Sequence, residues 1–304
     1  MCSVKQYDLI CIGNYTKDTI LSPTGKMHVD GGAVNYAAHA ANQLGVKVAV
    51  VTHLSPEDRR VIDKFKQMGI DCYPTYTPTS TTMRLEYPTS NPDERILSVA
   101  STAGSITPKE LEDLHSKSVA IGTSFRGEVG LDLIRTLKQK GTFLGADMQG
   151  FARVLRDEQL YLEPWDELST ALPYLDVIKS DAVEAECLTG EADIYHAAKI
   201  FSQFGVKEVV ITFKDGVLVY SDGQYHLAGF YSANLSGRSG RGDTCLGAYM
   251  AMRLSLEPSR AGIWAAAVTS MKMEKLGPFD RTLEELTAFI KEKYPAAQLA
   301  QLAE

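Results

Sequence analysis

The densest chemistry in this chain lies at residues 236–248, which read SGRSGRGDTCLGA. Gly237, Gly240 and Gly242 leave the neighbouring backbone N–H groups unobstructed, and the apolar pattern from Cys245 onward marks the start of a helix. Exposed amides at a helix N-terminus attract anions, and the aligned peptide dipoles add about 0.3–1 kcal/mol for a well-placed negative group. Such a bend is an anion hole. Asp243 stands at its edge, and the competing structural reading is that it is only a capping residue. A phosphate loop of the G-x-x-x-x-G-K-S/T kind occurs nowhere in the chain.

Two further stretches carry polar groups at telling places. At 30–38 the sequence is DGGAVNYAA: Gly31 and Gly32 let the backbone approach a ligand closely, and Asn35 offers a donor and an acceptor to hydroxyl groups. Asp18 follows the first strand, at the end where crossover strands present their functional residues. Turn glycines with a capping acid are the competing structural reading. At 179–190, Asp181 and Glu184 share one face of a helical turn. The pair suits a hydrated Mg²⁺, which takes one or two carboxylates and several waters, or it simply complements the helix dipole.

The elements that must position these groups are legible from periodicity. Residues 7–13 (YDLICIG) form a short, almost continuous apolar run, as in a strand buried on both faces. A helix at 32–44 ending at Gly45, a strand at 47–53 and a helix at 56–68 follow. Runs at 70–76, 81–87 and 95–101 read as three strands without intervening helices, punctuated by Pro78, Thr79, Asn91 and Pro92. They cannot belong to a wound parallel sheet, and with 15–31 they predict a small β appendage. The alternation resumes with a helix at 107–115, a strand at 118–124, a helix at 128–139, a strand at 142–148 and a helical region at 154–173. A strand at 175–179, helices at 181–189 and 193–204, a strand at 208–213 and a hairpin at 216–221 and 225–231 come next. Helices at 242–254, 258–276 and 282–292 close the pattern, and 297–304 reads as a helical or frayed tail. Strands separated by helices imply right-handed βαβ units in a parallel sheet, hence a three-layered α/β domain.

Composition narrows the function. With 38 acids against 31 bases among 304 residues the net charge is −7, which disfavours a nucleic-acid partner, and 44% apolar content fits a globular core. No apolar run reaches the roughly 20 residues that span a bilayer. No apolar leader opens the chain, so a cytoplasmic location is expected, and the sequons at Asn14 and Asn234 are chance matches. Cys2, Cys11, Cys72, Cys187 and Cys245 are scattered without a C-x-x-C pair, which argues against a disulfide framework or a zinc site.

Taken together, the motifs resemble those of the ribokinase (PfkB) family of carbohydrate and nucleoside kinases, in family order and over nearly the whole chain. The matching pieces are 13–18 (GNYTKD), Gly31 and Gly32 with Asn35, and the acidic pair at 181 and 184 followed by Leu188-Thr189-Gly190. Val209-Val210-Ile211-Thr212 with Gly216, and Gly240-Arg241-Gly242-Asp243, complete the series. The resemblance implies a ribokinase-like, Rossmann-like α/β/α domain over 1–14, 32–69 and 102–304, with a β-sheet lid formed by 15–31 and 70–101. It further implies ATP-dependent phosphorylation of a hydroxyl on a small sugar or sugar-like substrate, with Mg²⁺. Asp243 would be the catalytic base, and the amides of Gly240, Arg241 and Gly242 would hold the migrating phosphoryl. Glu184 and Asp181 would help hold Mg²⁺, Thr212 and Gly216 would bind the nucleotide, and Asp18, Gly32 and Asn35 would bind the acceptor. A homodimer through the lid is expected on the same ground. A nucleoside or inositol-type polyol kinase, and a relative that binds without turnover, are the alternatives.

Departures from the family pattern bear on these expectations. Gly237 replaces the usual first acid and Arg238 and Arg241 are added, which puts in question the monovalent-cation site that many relatives keep beside the anion hole. The segment 212–216 is one residue short, and Lys214 stands where a glycine is usual, which leaves the nucleotide base open. Arg84, Arg126 and Arg153 are candidates to line an acceptor pocket suited to an acidic or phosphorylated sugar.

Overall fold

The computed structural model describes residues 5–23, 25–89 and 96–294. The expected turn at Asn91 and Pro92 and the expected tail at 297–304 lie outside them. The strands are β1 (Lys5–Ile12), β2 (Thr16–Ser22), β3 (Gly25–Gly31), β4 (Val48–Leu54), β5 (Asp71–Tyr76), β6 (Thr81–Glu86), β7 (Ile96–Ser101) and β8 (Leu114–Ile121). They continue as β9 (Phe143–Asp147), β10 (Arg153–Arg156), β11 (Gln159–Leu162), β12 (Val177–Asp181), β13 (Glu208–Thr212), β14 (Gly216–Ser221) and β15 (Gln224–Gly229). The helices are α1 (Ala33–Gln43), α2 (Arg60–Gln67), α3 (Leu131–Gln139), α4 (Gln149–Ala152), α5 (Leu168–Ala171), α6 (Ala182–Thr189), α7 (Ile194–Gln203), α8 (Arg241–Met252), α9 (Pro258–Met273) and α10 (Leu283–Lys293).

β1 is apolar on both faces because helices cover both. Leu9 and Cys11 enter a core shared with α1, α2, α8, α9 and α10, whereas Ile10 and Ile12 enter the opposite core with α3, α5, α6 and α7. The sheet runs β15-β14-β13-β12-β9-β8-β1-β4-β5, parallel from β13 to β5, with β14 and β15 added antiparallel at one edge. This is the ribokinase-like α/β fold, with the carboxyl ends of the parallel strands aimed at one cleft.

A second sheet, ordered β10-β11-β7-β6-β2-β3, lies over that cleft around a small apolar core that contains Met83, Leu85, Val99 and Phe125. Its membership corrects two sequence-based expectations. Residues 70–76 are not a lid strand: β5 pairs parallel with β4, Ala49 opposite Asp71, because α2 supplies the crossover of one more βαβ unit. The stretch from 154, expected to be helical, opens instead with the antiparallel hairpin β10–β11, and Asp157 and Glu158 turn it with φ of 47° and 65°. The helix expected at 107–115 is also shorter, a single 3₁₀ turn over Pro108–Leu111, after which β8 begins.

One buried polar cluster locks the anion-hole helix to the sheet. Glu208 of β13 accepts from the Tyr249 hydroxyl at 2.7 Å and from Arg253 Nε and Nη2 at 2.9 and 2.8 Å. Truncating a buried partner strands the groups it satisfied, so Glu208→Ala is expected to cost about 3–5 kcal/mol of stability, measured as a lower urea midpoint.

Candidate active site

The bend before Asp243 takes its shape from glycine. Gly240 caps α8 at φ 77° and ψ 13°, in the left-handed region, and a Cβ there would overlap the Tyr36 ring. Among the described residues the N–H groups of Gly240, Gly242 and Asp243 meet no acceptor, whereas that of Arg241 donates to the Arg238 carbonyl at 3.2 Å. The geometry thus offers an anion the amides of 240, 242 and 243, and spends the Arg241 amide, expected among them, inside the turn. Beneath the bend lies Lys179, buried and paired with Asp147 Oδ2 at 3.1 Å; a Cβ on Gly242 would overlap its ammonium.

Asp243 Oδ1 is fully shielded from solvent and has no hydrogen-bond partner among the described residues. Burial raises its pKa above the ordinary aspartate value; Lys179 and Arg153 oppose the rise and Glu184 adds to it. A helix N-terminus alone would have made this carboxylate a weaker base than a free aspartate, but desolvation outweighs the dipole here. A carboxylate that lines the cavity and has a raised pKa is equipped to take a hydrogen bond, and then a proton, from a hydroxyl group.

Both groups open onto a cavity of about 570 Å³. Its near end is lined by Thr16, Asp18, Gly32 and Tyr36, roofed by Met83, Leu85, Tyr87, Leu97 and Leu160 of the second sheet. Asp18 accepts from the Thr16 hydroxyl at 2.6 Å, and burial pushes its pKa up to about 6, with the charges of Asp243 and Asp30 adding to the rise. Gly31 is obligatory beside it, since a Cβ would overlap the Asp18 carboxylate. Asn35, expected here, does not line the cavity: its amide donates to the Asp30 carbonyl at 3.1 Å and shapes the glycine turn from behind.

The far end is charged. Asp181 and Glu184 line it and also form a capping box on α6, with Glu184 N–H donating to Asp181 Oδ1 at 2.8 Å and Asp181 N–H to Glu184 Oε2 at 3.0 Å. Glu184 Oε1 accepts from Arg153 at 3.2 Å, and burial raises the Glu184 pKa to about 7. Among the described residues no group of three or more His, Cys, Asp or Glu is placed to hold a metal. The donor set still fits a hydrated Mg²⁺ held chiefly by phosphate oxygens, because Asp181 Oδ2 is uncommitted within the box.

Thr212 lines this end too, whereas Gly216 does not: a Cβ there would overlap the Ala228 carbonyl across the β14–β15 pairing, so its glycine serves strand packing. Of the three arginines singled out in the sequence, only Arg153 lines the cavity. Arg126 donates to the carbonyls of Phe151, Glu163 and Pro164, and Arg84 pairs with Glu86. Sequence reasoning passed over Lys179, Tyr36 and Lys272; a lysine inside a buried strand, and another inside a helix that is apolar all round, were the available signals.

Comparison with known proteins agrees with this fold. The family model for pfkB family carbohydrate kinases matches residues 3–283. Over 224 residues, 72% of this chain and 77% of its relative, the chain is 28% identical to a cytidine kinase of Thermococcus kodakarensis. It is 35% identical to a pyrophosphate-dependent kinase in the ribokinase family solved as a sulfate complex, with TM-score 0.86 over 92% of this chain and 99% of the other. A pyrophosphate-dependent kinase of the same family, complexed with a pyrophosphate analog and myo-inositol, matches at 34% identity and TM-score 0.85, over 92% and 99% of the two chains. Arabidopsis thaliana ribokinase, complexed with ribose and ATP, shares the fold at 14% identity and TM-score 0.76, over 94% and 99%. The match to the family model over nearly the whole chain shows that the chain belongs to the pfkB family of carbohydrate kinases.

Proposed function

We propose that the protein transfers a phosphoryl group from inorganic pyrophosphate to a hydroxyl of an inositol-type polyol. The observation that carries the donor assignment is the character of the far end of the cavity. Arg153, Lys179, Arg238 and Arg241 line the cavity together with Asp181, Glu184 and Thr212, and Val183 is the one apolar lining residue on the segment that carries Asp181 and Glu184, most of the others lying under the second sheet. Four cationic side chains match a compact polyanion. A nucleobase would need a broad apolar face, and the strand–turn at 212–216, expected to bind the nucleotide, contributes only Thr212 to the cavity. The likeness to pyrophosphate-dependent relatives at 34–35% identity supports the same reading.

The acceptor hydroxyl sits between the Asp243 carboxylate and the amides of 240, 242 and 243. Phosphoryl transfer passes through a loose transition state, so orienting the hydroxyl and neutralising the equatorial oxygens are most of the task. The amides and the α8 dipole face those oxygens, and Asp243 accepts the proton late. When bound, Mg²⁺ would screen charge on the donor phosphates, held through Asp181 with Glu184 behind it. Asp18 and the Gly32 backbone hold the acceptor, and the lid leucines and Tyr87 exclude water from it. The reaction belongs in the cytoplasm in this reading.

A phosphate-release and product screen tests it, with pyrophosphate, ATP and CTP as donors against myo-inositol, ribose, sugar acids and cytidine. The expected result is turnover with pyrophosphate and a polyol. Turnover confined to a nucleoside triphosphate contradicts the donor assignment, and turnover confined to cytidine contradicts the acceptor.

Acceptor binding should also titrate. An ionised Asp18 accepts from a hydroxyl more strongly than the protonated acid does, so the KM for the acceptor is expected to rise as pH falls through about 6. A raised native pKa means that the folded state binds the proton more tightly than the unfolded chain, so the charged form costs stability above that pH and the cost is relieved below it. Asp18→Asn is accordingly expected to raise Tm at pH 8 while weakening acceptor binding about tenfold or more, for one charged hydrogen bond lost.

A further inference from the structure

Lys272 is one residue from the end of α9 and only 2% exposed, yet among the described residues no carboxylate forms an ion pair with it. Its ammonium donates instead to two main-chain carbonyls of the glycine bend, those of Gly237 and Ser239, and lies 5.1 Å from the centroid of the Tyr36 ring. The same end of α9 holds the bend from the other side, where the Met273 carbonyl accepts from Gly237 N–H at 2.8 Å. In a trans peptide the C=O and the following N–H point in opposite directions. The Ser239 carbonyl that faces Lys272 therefore turns the Gly240 N–H away from it, toward the cavity.

We infer that the Lys272 ammonium is the internal cation that sets the anion hole: it draws in the carbonyls of 237 and 239, aims the Gly240 N–H at the transferring phosphoryl, and leaves the bend no need for a dissolved monovalent cation. The inference rests on the kinase reading above and adds to it a positioning residue. Converging carbonyl oxygens repel one another unless a cation lies between them, which is how carbonyl rings come to hold potassium ions. Here a side chain of the protein fills that role. Its charge is also conditional. Burial lowers its pKa to about 8, and of the groups that face it, Asp243 from α8 opposes that shift while Tyr36 from α1 presents only its ring. Turnover should decline as pH rises through about 8, as the ammonium and its hold on Ser239 are lost.

The test combines steady-state kinetics with amide hydrogen exchange on the full chain. At constant ionic strength, wild-type turnover should be equal within about twofold in sodium, potassium or tetramethylammonium chloride. Lys272→Met should lower kcat about 10²-fold, the loss of one misaimed donor, with little change in the acceptor KM, and should speed exchange at residues 238–242. Lys272→Arg should restore part of that rate and move the alkaline limb upward. A tenfold activation of the wild type by potassium, a Lys272→Met enzyme within twofold of wild type, or unchanged exchange at 238–242 would each overturn the assignment. If Lys272→Met does not fold, the wild-type cation series and the position of the alkaline limb decide. If the wild type transfers phosphate from no donor, the kinase reading fails, and the exchange comparison still decides the role of Lys272.

Discussion

Asp243→Asn is expected to lower kcat by about 10²–10⁴-fold while leaving the affinity for pyrophosphate within about threefold, the signature of a positioned base lost. The substitution keeps the shape and removes only the proton acceptor. Oδ1 has no hydrogen-bond partner among the described residues, so no structural bond is sacrificed, and burial of an uncharged amide relieves the desolvation that raises the carboxyl pKa. Asp243→Asn should consequently be no less stable than wild type in thermal unfolding. A variant that loses rate together with stability would indicate a capping role for Asp243 instead; a variant with near-normal rate would remove it from the chemistry.

Gly240→Ala should be nearly as damaging, by another route. An L-residue in the left-handed region costs about 1–2 kcal/mol, and here the new Cβ would also overlap the ring of Tyr36, which lines the acceptor end. Relieving that overlap moves the ring or the bend, so an anion-hole amide is lost and the acceptor KM rises. The expected fall in kcat is about 10²–10³-fold, as for removal of one oxyanion donor. Gly45→Ala is the internal control. Gly45 is equally left-handed, at φ 81°, but a Cβ there meets nothing within 4 Å, so that variant should show the backbone cost in Tm with turnover intact.

These effects trace back to signals of different range. The glycine spacing at 237–242 and the helix that starts behind it are local, and local rules were enough to find the bend and to suspect Asp243. The βαβ alternation was legible for the same reason, because a strand covered on both faces reads as a continuous apolar run wherever it occurs, as in β1 and β13. What periodicity could not say is which strand pairs with which. Residues 70–76 look like their lid neighbours, and only the α2 crossover places them beside β4. Leu155 and Leu160 sit opposite each other across a two-residue turn, a hairpin in a stretch whose Leu and Glu content suggests a helix.

Within the site, the misjudged residues are those whose partners are distant in sequence. Asn35 and Arg126 have the right chemistry for a ligand but spend it on carbonyls. Lys272 lies about 30 residues beyond the bend it serves, so no local motif includes it. The sign of the Asp243 shift had the same origin: a dipole can be read from a helix start, whereas desolvation depends on what packs around it.

The most direct test of the central claim is a crystal structure of the enzyme with a non-hydrolysable pyrophosphate analog and a polyol both bound. The account predicts the transferable phosphorus against the amides of 240, 242 and 243, with the acceptor hydroxyl about 2.6–3.2 Å from the Asp243 carboxylate and in line with the bond to be broken. A phosphorus seated elsewhere in the cavity, or an acceptor whose nearest hydroxyl lies outside hydrogen-bonding range of Asp243, would contradict it.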